Sequence, residues 1–301
     1  MGTPEFAVPS LDILVRAGHE VVAVVTAPDQ PSGRGLQLRP SAVKVYAEAQ
    51  GLQVLQPEKL RNPAFVARLR ELQADLAVVV AFRMLPEAVW SLPRLGTFNL
   101  HASLLPDYRG AAPINRAIMN GETRSGATTF LIDKEIDTGN ILLQQSIDIP
   151  PHWNAGDLHD ALMDMGATLV RDTVEALGKG NLKAHPQDPA AAQHPAPKIF
   201  KEDCQLDWTQ PALQVHNQVR GLSPYPAAWT LLEGKILKIF RSQIIEKEAN
   251  TPGAALATPD HRLLICCSDA WLEILELQAE GKKRMPAADF LRGYKGGLKI
   301  G

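Results

Sequence analysis

The feature that most constrains the fold is an alternation of short apolar runs with helical patterns over the first hundred residues. Runs rich in Val, Leu and Ala occupy residues 20–26, 52–55, 74–81 and 96–103. Helical patterns separate them at residues 9–17, 41–50, 63–73 and 86–92. Apolar strands joined by helices indicate a mostly parallel sheet with helices on both faces. The predicted fold class is therefore α/β, with a doubly wound sheet.

The second half of the sequence has a different organisation. Residues 125–133 and 141–149 predict two more strands, and 154–178 a long helix. Residues 181–197 are rich in Pro, Ala and His and have no periodicity, which predicts a linker. Short runs at 228–232, 236–240, 263–267 and 272–278 then predict a small β-barrel. The predicted domains are 1–180, a linker 181–197, and 198–301.

Composition excludes several classes of function. The 301 residues carry a net charge of −2, with only a slight excess of Lys and Arg after residue 197, so charge identifies no polyanionic partner. Cys204, Cys266 and Cys267 lack the spacing of a zinc site, and a reducing, cytoplasmic compartment is expected. The apolar runs are too short to span a membrane. Neither GxxxxGK[ST] nor GxGxxG occurs, which argues against the usual nucleotide-binding loops.

Polar residues interrupt the last apolar run of the predicted sheet. Asn99, His101 and Ser103 fall on one face of this run, because side chains alternate along a strand. An interior strand of a parallel sheet is normally apolar on both faces. Hydrogen-bonded core residues would explain the three polar groups. A site at the carboxyl edge of the sheet, where doubly wound folds bind ligands, would explain them equally well.

Two further segments strengthen the interpretation as a site. The sequence LLPDYRGAAP follows directly at residues 104–113, and Asp137-Thr138-Gly139 lies in a loop between two predicted strands. A histidine and an aspartate within reach of one another are suited to acid–base chemistry. Asp-Thr-Gly alone is common in loops, whereas all three segments in this order are specific.

Together these motifs resemble the folate-dependent formyltransferases. The matching motifs are Asn-x-His at 99–101, Ser-Leu-Leu-Pro-x-Tyr-Arg-Gly at 103–110 and Asp-Thr-Gly at 137–139. The resemblance implies a Rossmann-like catalytic domain and 10-formyltetrahydrofolate as formyl donor. We expect no metal, because the leaving group is a good one and the sequence contains no cluster of metal ligands. The resemblance implies catalytic roles for Asn99, His101 and Asp137. It also implies folate contacts from Ser103, Leu104, Leu105, Pro106, Arg83 and Met84.

Other segments resemble the branch of this family that formylates methionyl-tRNA. Residues 28–35 (PDQPSGRG) are similar to an inserted loop whose arginine, here Arg34, contacts tRNA, although alone they would predict only an exposed turn. Residues 198–202, 220–229 and 279–284 are similar to the branch's small OB-like β-barrel. Lys282, Lys283 and Arg284 alone would predict only a solvated turn, but with Arg34 and the nearby aromatic residues Tyr225 and Trp229 they predict contacts to tRNA phosphates. The implied partners are initiator methionyl-tRNA and the folate, with no membrane, and we expect a monomer.

Three other functions use the same features. Formyl transfer to a sugar or other small amine would need the same Asn99, His101 and Asp137. A deformylase would use water in place of an amine. An RNA-binding module without catalysis is the non-enzyme alternative, but it would have no need of all three residues.

The beginning of the sequence departs from the family's pattern. Residues 2–4 predict the turn after a first strand, and family members carry a short apolar strand before this turn. Loss of an interior strand would leave backbone groups unpaired, at about 1–3 kcal/mol for each one that stays buried. We therefore expect Met1 to be an internal methionine of a longer natural chain.

Overall fold

The computed structural model describes residues 1–32 and 37–301, and the chain divides into two compact units. Unit 1 comprises Met1–Gly110, Ser125–Ile147 and His159–Pro195. Unit 2 comprises Ala111–Arg124, Asp148–Leu158 and Ala196–Gly301. These units group residues that pack together and carry no assignment of function. The division into a catalytic domain, a linker and a tRNA-binding domain therefore stays a prediction.

The helices and strands up to residue 178 follow the predicted order. The helices are α1 (Val8–Arg16), α2 (Ala42–Ala49), α3 (Pro63–Glu71), α4 (Glu87–Trp90), α5 (Pro113–Met119) and α6 (Ala155–Gly178). The strands are β1 (Val24–Val25), β2 (Gln30–Ser32), β3 (Gln37–Arg39), β4 (Val54–Leu55), β5 (Ala77–Val80), β6 (Thr97–His101), β7 (Arg124–Leu131) and β8 (Ile141–Asp148). The sequence did not predict α5 or the antiparallel pair of β2 and β3. Among the described residues, no helix combines the length and apolarity needed to cross a membrane.

The sheet of unit 1 places β6 in its interior. Strands β5, β6, β7 and β8 are neighbours in that order, with β5 parallel and β7 antiparallel to β6. Asn99 of β6 faces Val79 on one side and Phe130 on the other. Strands β1 and β4 form a separate parallel pair. The apolar core beside them contains Val25, Leu60, Phe65, Val79, Leu85 and Val89.

The first two residues of the chain lie between β1 and β5. Gly2 N donates to Val25 O at 3.0 Å, and Val80 N donates to Met1 O at 2.9 Å. Only Val24 and Val25 of the predicted strand 20–26 pair with β4, so β1 is shorter than predicted. A cavity of about 900 Å³ lies beside these strands. Its lining includes Val22, which precedes β1, and Leu76, which precedes β5. The expectation of an upstream strand stays a prediction.

Unit 2 contains a curled antiparallel sheet. Its elements after residue 197 are α7 (Ala212–Leu222), β9 (Ala228–Leu232), β10 (Lys235–Ile245), β11 (Ala255–Ala257), β12 (Leu263–Cys266), β13 (Trp271–Ala279), β14 (Met285–Pro286) and α8 (Ala287–Gly293). The strand order is β11-β12-β13-β10-β9, and β14 pairs with β13. Ile300 bridges Leu232 of β9, and Lys299 bridges Ala254 beside β11, so this tail connects both edges. The predicted fold class is confirmed, whereas α7, α8, β11 and β14 were missed.

A partly buried histidine on α7 of unit 2 should make the free energy of unfolding depend on pH. His216 on α7 lies 3.0 Å from Ser242 Oγ through Nδ1. Burial, with a smaller contribution from Arg220, lowers the pKa of His216 below its usual value. The unfolded chain therefore binds a proton below about pH 6.5 that the folded chain resists, and stability falls as the pH drops through this range. We expect His216→Gln to flatten this dependence in urea unfolding between pH 7 and 5.

The matched control for this measurement is His152→Gln, because His152 is exposed. In this control the free energy of unfolding should depend on pH as steeply as in the unmodified chain. If His216→Gln keeps this dependence as well, protonation of His216 does not contribute to the acid sensitivity of the fold.

Candidate active site

Two segments of unit 1 bring the predicted catalytic residues together. Asn99 and His101 come from the end of β6, and Asp137 comes from the loop between β7 and β8. The strand ends at His101, two residues earlier than predicted, so Ser103 already belongs to the following loop. The Asn99 and His101 side chains share a face of β6 by strand alternation.

His101 is almost fully buried, with 5% of its surface exposed. Its Nε2 lies 2.8 Å from the carbonyl oxygen of Tyr108, and its Nδ1 lies 3.7 Å from Asp137 Oδ2. Because a carbonyl oxygen can only accept, Nε2 carries a hydrogen and donates it. Nδ1 is therefore the ring atom that can gain or lose a proton, and it faces a carboxylate.

The loops around His101 have an unusual backbone conformation. Tyr108 and Asp137 both have φ values of 57°, in the left-handed region that residues other than glycine rarely adopt. The backbone N–H of Gly110 donates to Asp137 Oδ2 at 3.0 Å, which connects the two loops. Such conformations persist only where the surrounding structure holds them, and they cluster at functional sites.

Asn99 presents an unused amide. Its side chain is partly exposed, and it makes no hydrogen bond to any residue that the structure describes. An amide carries two donors and one acceptor oxygen. Beside the buried His101 ring, this group is available to donate to a ligand oxygen.

The Ser103–Pro106 segment is fixed by polar contacts beneath it. Thr128 Oγ1 donates to Ser103 O at 2.7 Å and accepts from Leu105 N at 3.1 Å. Gln144 Nε2 donates to Leu105 O at 2.8 Å. Leu105 is buried, whereas Leu104 and Pro106 are half-buried. Sequence reasoning missed Thr128 and Gln144, which belong to no motif and act through contacts between distant parts of the chain.

The Phe82–Leu85 segment offers a different kind of contact. The Arg83 side chain, a predicted folate contact, is already used within the chain. Its two terminal nitrogens donate to Pro57 O at 2.8 Å and to Glu58 O at 3.0 Å. Met84 is 72% exposed. The backbone of residues 82–85 makes no backbone hydrogen bond within the described part of the chain. The backbone N–H and C=O groups of this segment, beside the buried Leu85, are therefore available to hydrogen-bond a ligand.

The predicted tRNA contact Arg34 lies outside the described residues. The flanking strands β2 and β3 pair antiparallel, with Gln30 opposite Arg39. At their base, Asp29 accepts from Lys44 Nζ at 2.7 Å and from Gln56 Nε2 at 2.8 Å. These hydrogen bonds hold the pKa of Asp29 below its usual value. The start of β2 is therefore anchored through Asp29.

The predicted basic triplet divides into two kinds of side chain. Arg284 forms a two-pronged ion pair with Glu276, both distances being 2.6 Å, and lies 4.3 Å from the centre of the Phe240 ring. Lys282 and Lys283 are exposed and form no ion pair with any described residue. The lysines are therefore the available cations of this turn. The described residues contain no cluster of three or more His, Cys, Asp or Glu side chains suited to a metal.

Unit 1 therefore combines an α/β sheet with a histidine–aspartate pair and an amide that no described residue uses, which suits an enzyme with acid–base chemistry. A family model described as formyl transferase matches residues 1–174. A second model, described as formyl transferase, C-terminal domain, matches residues 198–295. The chain belongs to the formyl transferase family.

Curated relatives match nearly the whole chain. A methionyl-tRNA formyltransferase of Parabacteroides distasonis is 54% identical over 307 residues, covering 98% of this chain and 94% of the relative. A methionyl-tRNA formyltransferase of Flavobacterium johnsoniae is 48% identical and covers 97% of this chain and 94% of the relative.

Solved structures share the fold at lower sequence identity. HypX from Aquifex aeolicus, solved with tetrahydrofolic acid, is 22% identical with a TM-score of 0.63. The match covers 85% of this chain but only 45% of that protein. An N-formyltransferase from Helicobacter canadensis, solved with folinic acid and dTDP-3-aminofucose, is 20% identical with a TM-score of 0.68. It covers 92% of this chain and 97% of that protein.

Proposed function

We propose that this chain transfers the formyl group of 10-formyltetrahydrofolate to the α-amino group of methionyl-tRNA, producing formylmethionyl-tRNA for translation initiation. The observation that carries the formyl transfer is His101, whose Nδ1 faces Asp137 beside the free amide of Asn99. The choice of acceptor is supported by the relatives at about half identity over nearly the full length.

In the proposed mechanism the uncharged amine attacks the formyl carbon. The pKa of a free α-amine is about 7.7–8.0, so a useful fraction is nucleophilic at neutral pH. The Asn99 amide donates to the oxyanion that forms, and one such donor is typically worth about 3–4 kcal/mol. The amine loses a proton as the new bond forms, and His101 Nδ1, next to Asp137, is placed to take part in its transfer. As the oxyanion returns to a carbonyl, the tetrahydrofolate nitrogen leaves with the bonding electron pair and gains a proton, which balances the proton lost by the amine.

The residues proposed to contact each substrate differ in kind. The folate meets the backbone of the Phe82–Leu85 loop, including Arg83 and Met84, and the Ser103–Pro106 segment. The tRNA meets Arg34, Lys282 and Lys283. Arg284 lies in the same turn, but its charge is already paired with Glu276. The proposed reaction belongs to translation initiation and hence to the cytoplasm. A monomer remains the expected state.

An acceptor assay tests the proposed function. The purified chain is incubated with 10-formyltetrahydrofolate and methionyl-tRNA, free methionine, an amino-sugar nucleotide or no acceptor, and products are measured by mass spectrometry. We expect formylation of methionyl-tRNA far above free methionine. Formylation of the sugar amine alone would favour the small-amine alternative, and formate release without acceptor would indicate a deformylase.

The exposed lysine pair should contribute to tRNA binding through phosphate charge. Lys282→Ala with Lys283→Ala should weaken binding evenly across tRNAs and reduce the slope of log affinity against log salt by about one per lost phosphate contact. Binding titrations between 50 and 200 mM salt measure this slope. Arg284→Ala is the comparison, because its charge is already paired with Glu276, and it should change the slope less. An identical slope in the double variant would place the lysines outside the interface.

A further inference from the structure

The 187–194 segment, which belongs to the predicted linker, contacts the loops on both sides of His101. Gln187 Oε1 accepts from Arg109 Nε at 3.1 Å and from Arg109 Nη2 at 2.6 Å. Gln187 Nε2 donates to Asp137 O at 2.9 Å and to Gly139 O at 2.8 Å. One half-buried amide therefore connects the loop that contains Arg109 with the loop that contains Asp137.

The other end of the 187–194 segment holds the first of these loops. His194 donates its backbone N–H to Asp107 Oδ1 at 2.5 Å, and its ring Nδ1 lies 2.9 Å from Asp107 Oδ2. Tyr108 N donates to His194 O at 2.7 Å. The Tyr108 and His194 rings are stacked, with centroids 5.3 Å apart and planes at 18°. Tyr108 is therefore held both through its backbone and through its ring.

The two loops supply the groups that meet the two nitrogens of His101. The Tyr108 carbonyl lies against Nε2, and the Asp137 carboxylate faces Nδ1. Both residues have the left-handed backbone conformation, and neither lies in a helix or a strand. Their geometry therefore depends on contacts from elsewhere in the chain, and the 187–194 segment provides several of them.

We propose that Gln187 and His194 are positioning residues for formyl transfer, which fix the Tyr108 carbonyl and the Asp137 carboxylate relative to the His101 ring. This inference rests on the proposed function. Neither residue needs to contact a substrate. Their effect is therefore on the rate of the chemical step, since a misplacement of about 1 Å can lower a rate on the order of 100-fold.

Variants of Gln187 distinguish the loss of its hydrogen bonds from a general disturbance of the 187–194 segment. Gln187→Met keeps the length of the side chain and removes every hydrogen bond. Gln187→Glu keeps an acceptor for Arg109 but removes the donors to Asp137 O and Gly139 O. Gln193→Met is the matched control, because the Gln193 side chain is exposed in the same segment. His194→Phe keeps a ring to stack on Tyr108, whereas His194→Ala does not.

Steady-state kinetics distinguish positioning from binding. We expect Gln187→Met and Gln187→Glu to lower kcat by about 10- to 100-fold, with KM for both substrates within about 3-fold. His194→Phe should lose less of kcat than His194→Ala. Gln193→Met should match the unmodified chain. A rise in KM with unchanged kcat, or an equal loss in the Gln193→Met control, would overturn the proposal.

A spectroscopic readout tests the same inference without turnover. The ¹⁵N shifts of the His101 ring report which nitrogen carries hydrogen, and they should show Nε2–H in the unmodified chain. Gln187→Met should move these resonances, whereas Gln193→Met should not. Unchanged ring resonances in Gln187→Met would overturn the positioning role. An unmodified chain that formylates no methionyl-tRNA would instead overturn the proposed function, because the ring shifts do not depend on it.

Discussion

His101→Ala and Asn99→Ala should each lower the turnover of methionyl-tRNA by about 100- to 1,000-fold, the usual effect of removing one donor to a developing oxyanion or its equivalent. His101→Ala removes the contacts to Tyr108 and Asp137 together. Asn99→Ala removes the amide that no described residue uses. Folate binding should remain largely intact, because the proposed folate contacts lie on the neighbouring loops. Turnover at saturating substrates and equilibrium folate binding measure the two quantities separately.

Asp137→Asn separates charge from shape in the same site. The amide oxygen of asparagine can still accept from Gly110 N, but the negative charge facing His101 Nδ1 is lost. Turnover should fall by a large factor while the fold is retained. His152→Ala is the control for loss of a histidine, and it should remain fully active. Near-normal turnover in both His101→Ala and Asp137→Asn would mean that the catalytic centre lies elsewhere.

Gly139→Ala should damage stability and turnover together. An added Cβ would overlap the carbonyl oxygen of Leu131 and come within 2.9 Å of its carbonyl carbon. Because the obstacle is backbone at the end of β7, the loop itself must shift. Forced packing of this kind typically costs about 1–3 kcal/mol and sometimes more. The shift moves Asp137, which should lower kcat on the order of 100-fold.

Thermal unfolding and turnover measure the two effects of this substitution. A loss of about 3 kcal/mol corresponds to a Tm lower by roughly 5–10 °C in a protein of this size. Gly178→Ala is the matched control, because an added Cβ there meets no atom within 4 Å at the end of α6. It should be neutral or slightly stabilising. A Gly139→Ala chain with an unchanged Tm would show that the loop accommodates the methyl group without strain.

The elements of the site that could be predicted are local in the sequence. Asn99 and His101 stand two residues apart on a strand, so alternation alone places them on one face. Gln187 could not be predicted in this way, because its four hydrogen bonds reach residues about fifty to eighty positions away. A Pro- and Ala-rich stretch predicts a linker by composition, and composition contains no information on such contacts.

Among the missed helices, α7 has a readable pattern. Its buried residues Ala212, Val215, Val219 and Leu222 recur at helical spacing, but the short strands that follow dominate the pattern of this region. Another missed helix, α5, has only seven residues and begins at the last residue of LLPDYRGAAP, a segment whose Pro and Gly residues predict a loop. Its existence depends on tertiary packing, since isolated helices of this length are unstable.

The discontinuous make-up of unit 2 has a consequence for the order in which the protein can fold during synthesis. Helix α5 packs on α7, where Asn115 Nδ2 donates to Gly221 O at 2.7 Å and Met119 contacts the core of the unit. Roughly ninety residues separate the two helices, which a ribosome adds in on the order of ten seconds. Throughout that interval α5 lacks the surface of α7 on which it packs in the folded chain. A fragment that starts near residue 198 would contain α7 but not α5, so the face of α7 on which α5 packs would be uncovered.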